Sequence, residues 1–137
     1  MMAALAALRD ALASINGVQS CKIGVEANLS PADYPMIRIV PVRMTAGKPY
    51  GHRTAEVQIL FGARLASSQG LENVYSALLA LDAAIIAALR ATGAKYIETL
   101  TDEDRLDAYK LMSIRAELAG AIYPHGAQAY SASRRTR

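Results

Sequence analysis

The sequence contains few of the residues that cross-link a small protein or hold a metal ion. Its 137 residues include one cysteine, Cys21, and two histidines, His52 and His125. One cysteine cannot form an internal disulfide bond, and the positions of these three residues match no spacing typical of a zinc site. We therefore expect neither a disulfide bond nor a zinc ion to stabilise the fold.

Long hydrophobic runs are missing as well. The most apolar stretch, residues 77–89, contains Asp82 and is shorter than the ~20 residues that cross a bilayer. The N-terminal segment lacks a positively charged leader, and Arg9 and Asp10 interrupt the apolar run that a signal peptide requires. We expect a protein that is made in the cytoplasm and has no contact with a membrane.

The excess of positive charge is small. Lysine and arginine total 15, aspartate and glutamate total 12, and Arg134, Arg135 and Arg137 account for the difference. The basic pI therefore describes the C-terminus, and no specific nucleic-acid binding is predicted. Residues 124–137 contain no Val, Ile, Leu, Met or Phe that could anchor them to a core. We predict a single domain over residues 1–123 and a flexible basic tail over residues 124–137.

Hydrophobic residues make up 53% of the chain, and in residues 3–16 they have helical spacing. Leu5, Leu8 and Leu12 recur at steps of three and four, which places them on one face of an amphipathic helix. Gly17 follows at the position of a C-terminal cap. These features predict an N-terminal helix.

A second and longer helix is predicted over residues 71–89, where apolar residues again recur at steps of three and four. Gly93 follows where such a helix ends. Leu79 and Ile86 widen the apolar surface beyond one narrow stripe. We therefore expect this helix to pack on a sheet and also to contact a neighbouring subunit.

Other segments have the apolar–polar alternation, or the short apolar runs, that are typical of strands. They are residues 21–25, 36–44, 54–64 and 96–100. Pro41 lacks an N–H donor, which predicts a sheet edge or a bulge at that point. Residues 45–53 include Gly47, Pro49 and Gly51 and are predicted to form a loop between two strands.

Residues 108–122 fit both a strand and a helix, because their apolar side chains match either spacing. We prefer the strand, since Arg115 and Glu117 fall on the polar side of the alternation and Gly120 disfavours a helix interior. The resulting order is helix, strands, long helix, strands. It predicts an α+β domain with a mostly antiparallel sheet, and with the N-terminal helix and the long central helix packed on one face.

The densest acidic cluster is a candidate cation site. It consists of Asp102, Glu103, Asp104 and Asp107. Clustered carboxylates suit hard cations, but this spacing lacks the glycine and the terminal glutamate of a calcium-binding loop. We interpret the cluster as a solvated turn and predict no metal site.

The candidate bases and nucleophiles are isolated from one another. His52 has no nucleophile motif near it, and Cys21 lies in an alternating strand, where a small buried side chain is the usual role. Lys48 follows a glycine but precedes Pro49, which breaks the phosphate-binding pattern. We predict no catalytic residues, no cofactor and no enzyme activity.

In its layout the chain resembles the tail terminator, or tail completion, proteins of long-tailed bacteriophages. The resemblance covers roughly residues 3–122. The matching stretches are residues 3–10 (AALAALRD) leading to Gly17-Val18, residues 33–41 (DYPMIRIVP) and residues 110–118 (KLMSIRAEL).

The resemblance implies a mechanical function. In that family, copies of a small α+β subunit form a hexameric ring on the head-proximal end of the tail tube, stop tube polymerisation and join the tail to the head. The expected partners are further copies of the chain, the tail tube protein, and neck or head-tail connector proteins. The expected location is the tail-neck junction of the virion.

Contact regions are also implied. The loop of residues 45–53, with Lys48, Tyr50, His52 and Arg53, is expected to contact the tail tube. The expected contacts between subunits are Leu5, Leu8, Leu12, Leu79 and Ile86. Two alternatives stay open: another neck component, such as an adaptor or head-tail stopper, and a small intracellular enzyme or ligand-binding domain.

Overall fold

A computed structural model describes residues 1–26, 28–48, 50–64, 70–101, 105–106 and 109–122. The acidic residues 102–104 and 107, His125 and the predicted tail of residues 124–137 lie outside the described residues. The helices and strands are α1 (Met2–Ala13), β1 (Ser20–Ile23), β2 (Met36–Ala46), β3 (His52–Arg64), α2 (Leu71–Ala91), β4 (Lys95–Leu100), β5 (Arg105–Leu106) and β6 (Tyr109–Ala121).

The strands form one mixed sheet in the order β1-β2-β3-β6-β4, and β5 pairs with β6. Among the described strands, only β1 and β2 run parallel; the other pairs are antiparallel. Both helices bury side chains in the same core, against one face of this sheet. The predicted α+β class and the mostly antiparallel sheet are therefore confirmed.

The central strands follow the predicted alternation. Ala55, Val57 and Ile59 on β3 are fully buried on the helix side, whereas Glu56 and Gln58 between them are only partly buried. This pattern arises because successive strand residues point to opposite faces. The segment that fitted two patterns is the strand β6, so the strand interpretation is confirmed.

The apolar face of α1 belongs to the core of the single subunit. Leu5, Leu8 and Leu12 have almost no exposed surface and pack with the sheet and α2. This corrects the expectation that they form contacts between subunits, because side chains that are covered within one subunit offer no surface to another. Their spacing indicated a buried face, and the sheet of the same chain covers it.

The long helix α2 has one buried side and one open side. Val74, Leu78, Ile85 and Leu89 are its buried residues, and it ends shortly before Gly93, which has a left-handed φ of +78°. With 21 residues, α2 is longer than the apolar stretch seen in the sequence and could cross a bilayer by length and composition alone. In this fold its buried side packs on the sheet.

The bulge predicted near Pro41 is confirmed, whereas the predicted loop of residues 45–53 is corrected. The β2–β3 register shifts between Pro41 and Arg43, which is the bulge expected from the proline. The loop, however, is shorter than residues 45–53. Thr45 pairs with Thr54 in the β2–β3 ladder, so only residues 47–51 connect the two strands.

An ion pair between a buried arginine and a partly exposed glutamate ties the β1–β2 connection to the sheet face that lies opposite the helices. The Arg38 side chain is 0% exposed, and its Nε donates to Oε1 of Glu26 at 2.6 Å while its Nη2 donates to Oε2 at 3.1 Å. Its Nη1 donates to the hydroxyl of Ser20 and to the carbonyl of Ile37. The guanidinium is therefore well paired although it is buried.

This pairing makes stability depend on acid pH. Hydrogen bonds from Arg38 are the main cause that lowers the Glu26 pKa from 4.5 to about 2. Because folding lowers this pKa, the pair contributes fully above about pH 4.5 and loses its contribution as the pH falls toward 2. In urea unfolding, the stability difference between the wild type and Glu26→Gln should therefore shrink from pH 6 to pH 2. A difference that is constant with pH would contradict the assignment.

Candidate functional site

The distal half of the β2–β3 hairpin leaves the core. All residues from Val42 to Ala46 are exposed, with Val42 at 58%. In the connecting turn, the exposure of Tyr50 is 101% and Lys48 is also exposed. Two of the four predicted contact residues therefore lie at the surface of the turn.

The other two predicted contact residues lie in the strand that follows the turn. His52 is the first residue of β3, and Arg53 pairs with Ala46 on one side and with Gly120 on the other. Both side chains are partly buried. The Nε of Arg53 is buried and has no hydrogen-bond partner among the described residues. The structure thus brings all four predicted residues to one end of the hairpin.

The turn is fixed by main-chain contacts on both sides. The Gly47 N–H donates to the carbonyl of His52 at 2.9 Å, and the Ile122 N–H donates to the carbonyl of Gly51 at 2.8 Å. Gly51 has a φ of +90°, which side chains disfavour and glycine adopts readily. The end of β6 therefore supports the turn from one side.

The hairpin is basic. Residues 34–55 contain no aspartate or glutamate, but they include Arg43, Lys48 and Arg53. The only other basic residue of that segment with a long side chain, Arg38, is buried and paired with Glu26. The charge balance of the whole chain does not reveal this local excess, although the long stretch without carboxylates is visible in the sequence.

The open side of α2 carries exposed apolar residues among its polar ones. Leu71 and Leu79 are 67% and 47% exposed. Ile86 is partly buried and packs against the core, so it contributes to the interior as well as to the outer surface. Exposed alanines on this side include Ala77, Ala80, Ala83 and Ala87. The predicted wide apolar surface of this helix is present, and we call Leu79, Ile86 and these alanines the α2 outer face.

Asp82, the charge within the apolar helix, has a local role. Its Oδ1 accepts a hydrogen bond from the Thr99 hydroxyl at 2.6 Å, and that hydroxyl is 2.7 Å from the hydroxyl of Tyr96. These contacts link the middle of α2 to β4. The carboxylate thus fixes the position of the helix on the sheet.

Cys21 is a poor nucleophile in this environment. Burial is the main cause that raises the pKa of its thiol to about 11, and its Sγ lies 3.6 Å from the carbonyl oxygen of Arg9. At neutral pH the reactive thiolate is therefore scarce. Among the residues that the structure describes, no group of three His, Cys, Asp or Glu side chains lies close enough to hold a metal ion.

The described surface thus offers two regions for contact with other molecules, the basic β2–β3 hairpin and the apolar α2 outer face. Each combines exposed side chains with a well-packed support, which is typical of protein interfaces. No protein-family model matches the sequence, and no curated protein matches it.

Proposed function

We propose that the chain is a structural subunit of a phage tail. Copies of it form a ring on the head-proximal end of the tail tube, stop tube polymerisation and provide the surface that joins the tail to the head. The sequence-level resemblance supplies the family, and the two contact regions supply a physical basis for the assembly. The hairpin contacts the tube, and the α2 outer face contacts the neighbouring subunit.

The observation that carries this proposal is the presence of two unlike contact regions on one small subunit. A subunit that joins a ring and also binds a tube needs at least two contact surfaces, one for its neighbours and one for the tube. Leu79 and Ile86 are the large apolar side chains of the α2 outer face, and exposed apolar area of this kind favours association. The hairpin is separate from it and has a different chemistry.

Native mass spectrometry of the full chain, combined with negative-stain images of tail tubes mixed with it, tests the proposal. The proposal expects a closed ring and one ring at a single end of each tube. A monomer that forms rings only on a portal would assign the chain to an adaptor or stopper position instead. A chain that stays monomeric alone, with tubes and with portals would contradict an assembly function altogether.

The turn of the hairpin provides a specific prediction. The double variant Lys48→Glu with Tyr50→Ser should bind tail tubes at least about tenfold more weakly, because exposed aromatic and charged side chains at an interface centre are frequent hot spots. The ring itself should persist. Tube binding can be measured by co-sedimentation, and ring formation by native mass spectrometry.

Lys95→Glu is the matched control, since Lys95 is an exposed lysine of β4, which β6 separates from the hairpin. It should bind tubes as the wild type does. Unchanged tube binding by the double variant would remove the hairpin from the interface. An equal loss in the control would indicate a general charge effect and would contradict the assignment as well.

A further inference from the structure

The outer side of β2 is an open sheet edge beyond its first residues. β1 pairs with β2 only from Met36 to Ile39. From there on, the side of β2 that faces away from β3 meets no other strand among the described residues. We call the outer side of residues 42–46 the open edge.

The main-chain groups at the open edge can be assigned from the hydrogen-bond alternation. Gly47 donates its N–H to His52 of β3, so Thr45, two residues earlier, also faces β3. Met44 and Ala46 alternate with these residues and turn their N–H and C=O groups outward. Each of the two residues thus offers one donor and one acceptor in strand geometry.

The first part of the edge is protected, and the distal part is not. Pro41 offers no N–H, and the bulge between Pro41 and Arg43 bends the strand, as is usual at edges that must not pair. Regular pairing with β3 resumes after the bulge, and Met44 is exposed. The accessible template is therefore short and lies next to the turn of the hairpin.

We propose that the open edge binds an acidic extended segment of a partner protein, which adds to the sheet as a further strand. This inference rests on the proposed function, because it gives the chemistry of the tube segment that the hairpin contacts. The main chain of the partner segment forms hydrogen bonds with the outward groups of Met44 and Ala46, and these bonds align the segment with β2. Val42 and Met44 supply exposed apolar contacts beside them.

Charge complementarity identifies the occupant as acidic. Arg43 lies within the open edge, Lys48 lies in the adjoining turn, and no carboxylate occurs in the sequence between Asp33 and Glu56. Glu56 lies opposite Arg43 on β3, but its carboxylate is bound to Arg115. A basic or neutral strand would gain little from these positions. An acidic strand would pair with them and would be attracted from a distance.

The same edge disfavours a nucleic acid as occupant. A phosphate backbone offers acceptors and can use the two outward N–H groups, but it offers no donors for the outward carbonyls of Met44 and Ala46. An extended peptide offers both in the spacing of a strand. One short strand forms only a weak contact. In a ring, each subunit can form the same contact with a tube of matching symmetry, so the ring binds more tightly than one subunit does.

The direct test is amide hydrogen exchange of the full chain, measured by NMR with and without a heptapeptide of alternating valine and glutamate. With saturating peptide, exchange at Met44 and Ala46 should slow at least about tenfold, because their N–H groups become bonded. Thr45 is already bonded to β3 and should change little. Protection that does not alternate along the strand, or none at all, would overturn strand addition.

A pair of variants at one position isolates the main-chain contribution. Ala46→Pro removes an outward N–H and leaves the N–H groups that face β3, whereas Ala46→Ser retains it. The proline variant should bind the peptide at least about tenfold more weakly than the serine variant, with the same circular dichroism spectrum. Equal binding by the two variants would overturn the proposal.

Two further outcomes separate this inference from the proposed function. If Ala46→Pro attaches to tail tubes as tightly as Ala46→Ser while the Lys48→Glu/Tyr50→Ser variant does not, the tube contact stands and strand addition is wrong. A single-stranded DNA oligonucleotide that displaces the peptide at equal charge concentration would also overturn it, because the edge would then select polyanions in general.

Discussion

Replacing Glu26 with Gln should lower the free energy of unfolding at pH 7 by about 3 kcal/mol, because it leaves the Arg38 guanidinium buried without its counter-charge. Arg38 has no exposed side-chain surface, and both oxygens of Glu26 accept hydrogen bonds from it. Breaking a buried pair from one side costs far more than the pair contributes, because the remaining charge cannot reach water. Urea unfolding followed by far-UV circular dichroism measures the loss.

The companion variants distinguish the cost of an unpaired charge from a general loss of packing. Arg38→Met keeps an apolar side chain of similar length in the site and removes the charge, so it should cost less than Glu26→Gln. Once Arg38 is methionine, adding Glu26→Gln should cost almost nothing further. Strictly additive losses in the double variant would contradict a coupled pair.

The strands could be predicted from the sequence because a strand that is buried on one face alternates apolar and polar residues. Ala55, Val57 and Ile59 alternate with polar residues, and the structure buries this set against the helices. The ion pair could not be predicted in the same way. Arg38 stands within an apolar run, and its partner Glu26 comes from a separate connecting segment, so only the fold brings the two together.

The candidate site was predicted in part. Turn-forming residues indicated a connection near Lys48, but the ends of that connection were placed too far out, because Thr45 pairs with Thr54 despite the nearby glycines. β6 extends the pairing beside β3, and no local signal in residues 45–53 indicates that support. The open edge of β2 depends on where β1 ends, which is a property of the sheet and not of β2 itself.

Helical periodicity alone does not distinguish a core face from an interface. The leucines of α1 and Leu79 of α2 were all expected to contact other subunits, yet Leu8 is fully buried within the subunit and Leu79 is 47% exposed. Both belong to helices with apolar stripes. The difference arises because the leucines of α1 form one stripe, which the sheet and α2 cover, whereas α2 also carries a leucine, Leu79, away from its buried side.

Neighbouring leucines on α2 allow assembly and folding to be separated. Leu79→Glu should abolish ring formation while the subunit stays folded, because it replaces the most exposed large apolar side chain of the α2 outer face with a charge. Its effect on the stability of the subunit should stay within about 0.5 kcal/mol, as is usual for surface substitutions. Native mass spectrometry reports the oligomer, and thermal unfolding reports the fold.

Leu78→Glu, one residue earlier, should instead destabilise the subunit by more than about 4 kcal/mol, because Leu78 is fully buried and a glutamate there has no partner. Asn16→Glu adds the same charge at an exposed position between α1 and β1, outside the α2 outer face, and should leave both the fold and the ring intact. If Leu79→Glu formed rings as readily as Asn16→Glu, the α2 outer face would not be the contact between subunits. If Leu79→Glu unfolded as Leu78→Glu does, Leu79 would be part of the core. The α2 outer face would then have to be assigned to packing within the subunit.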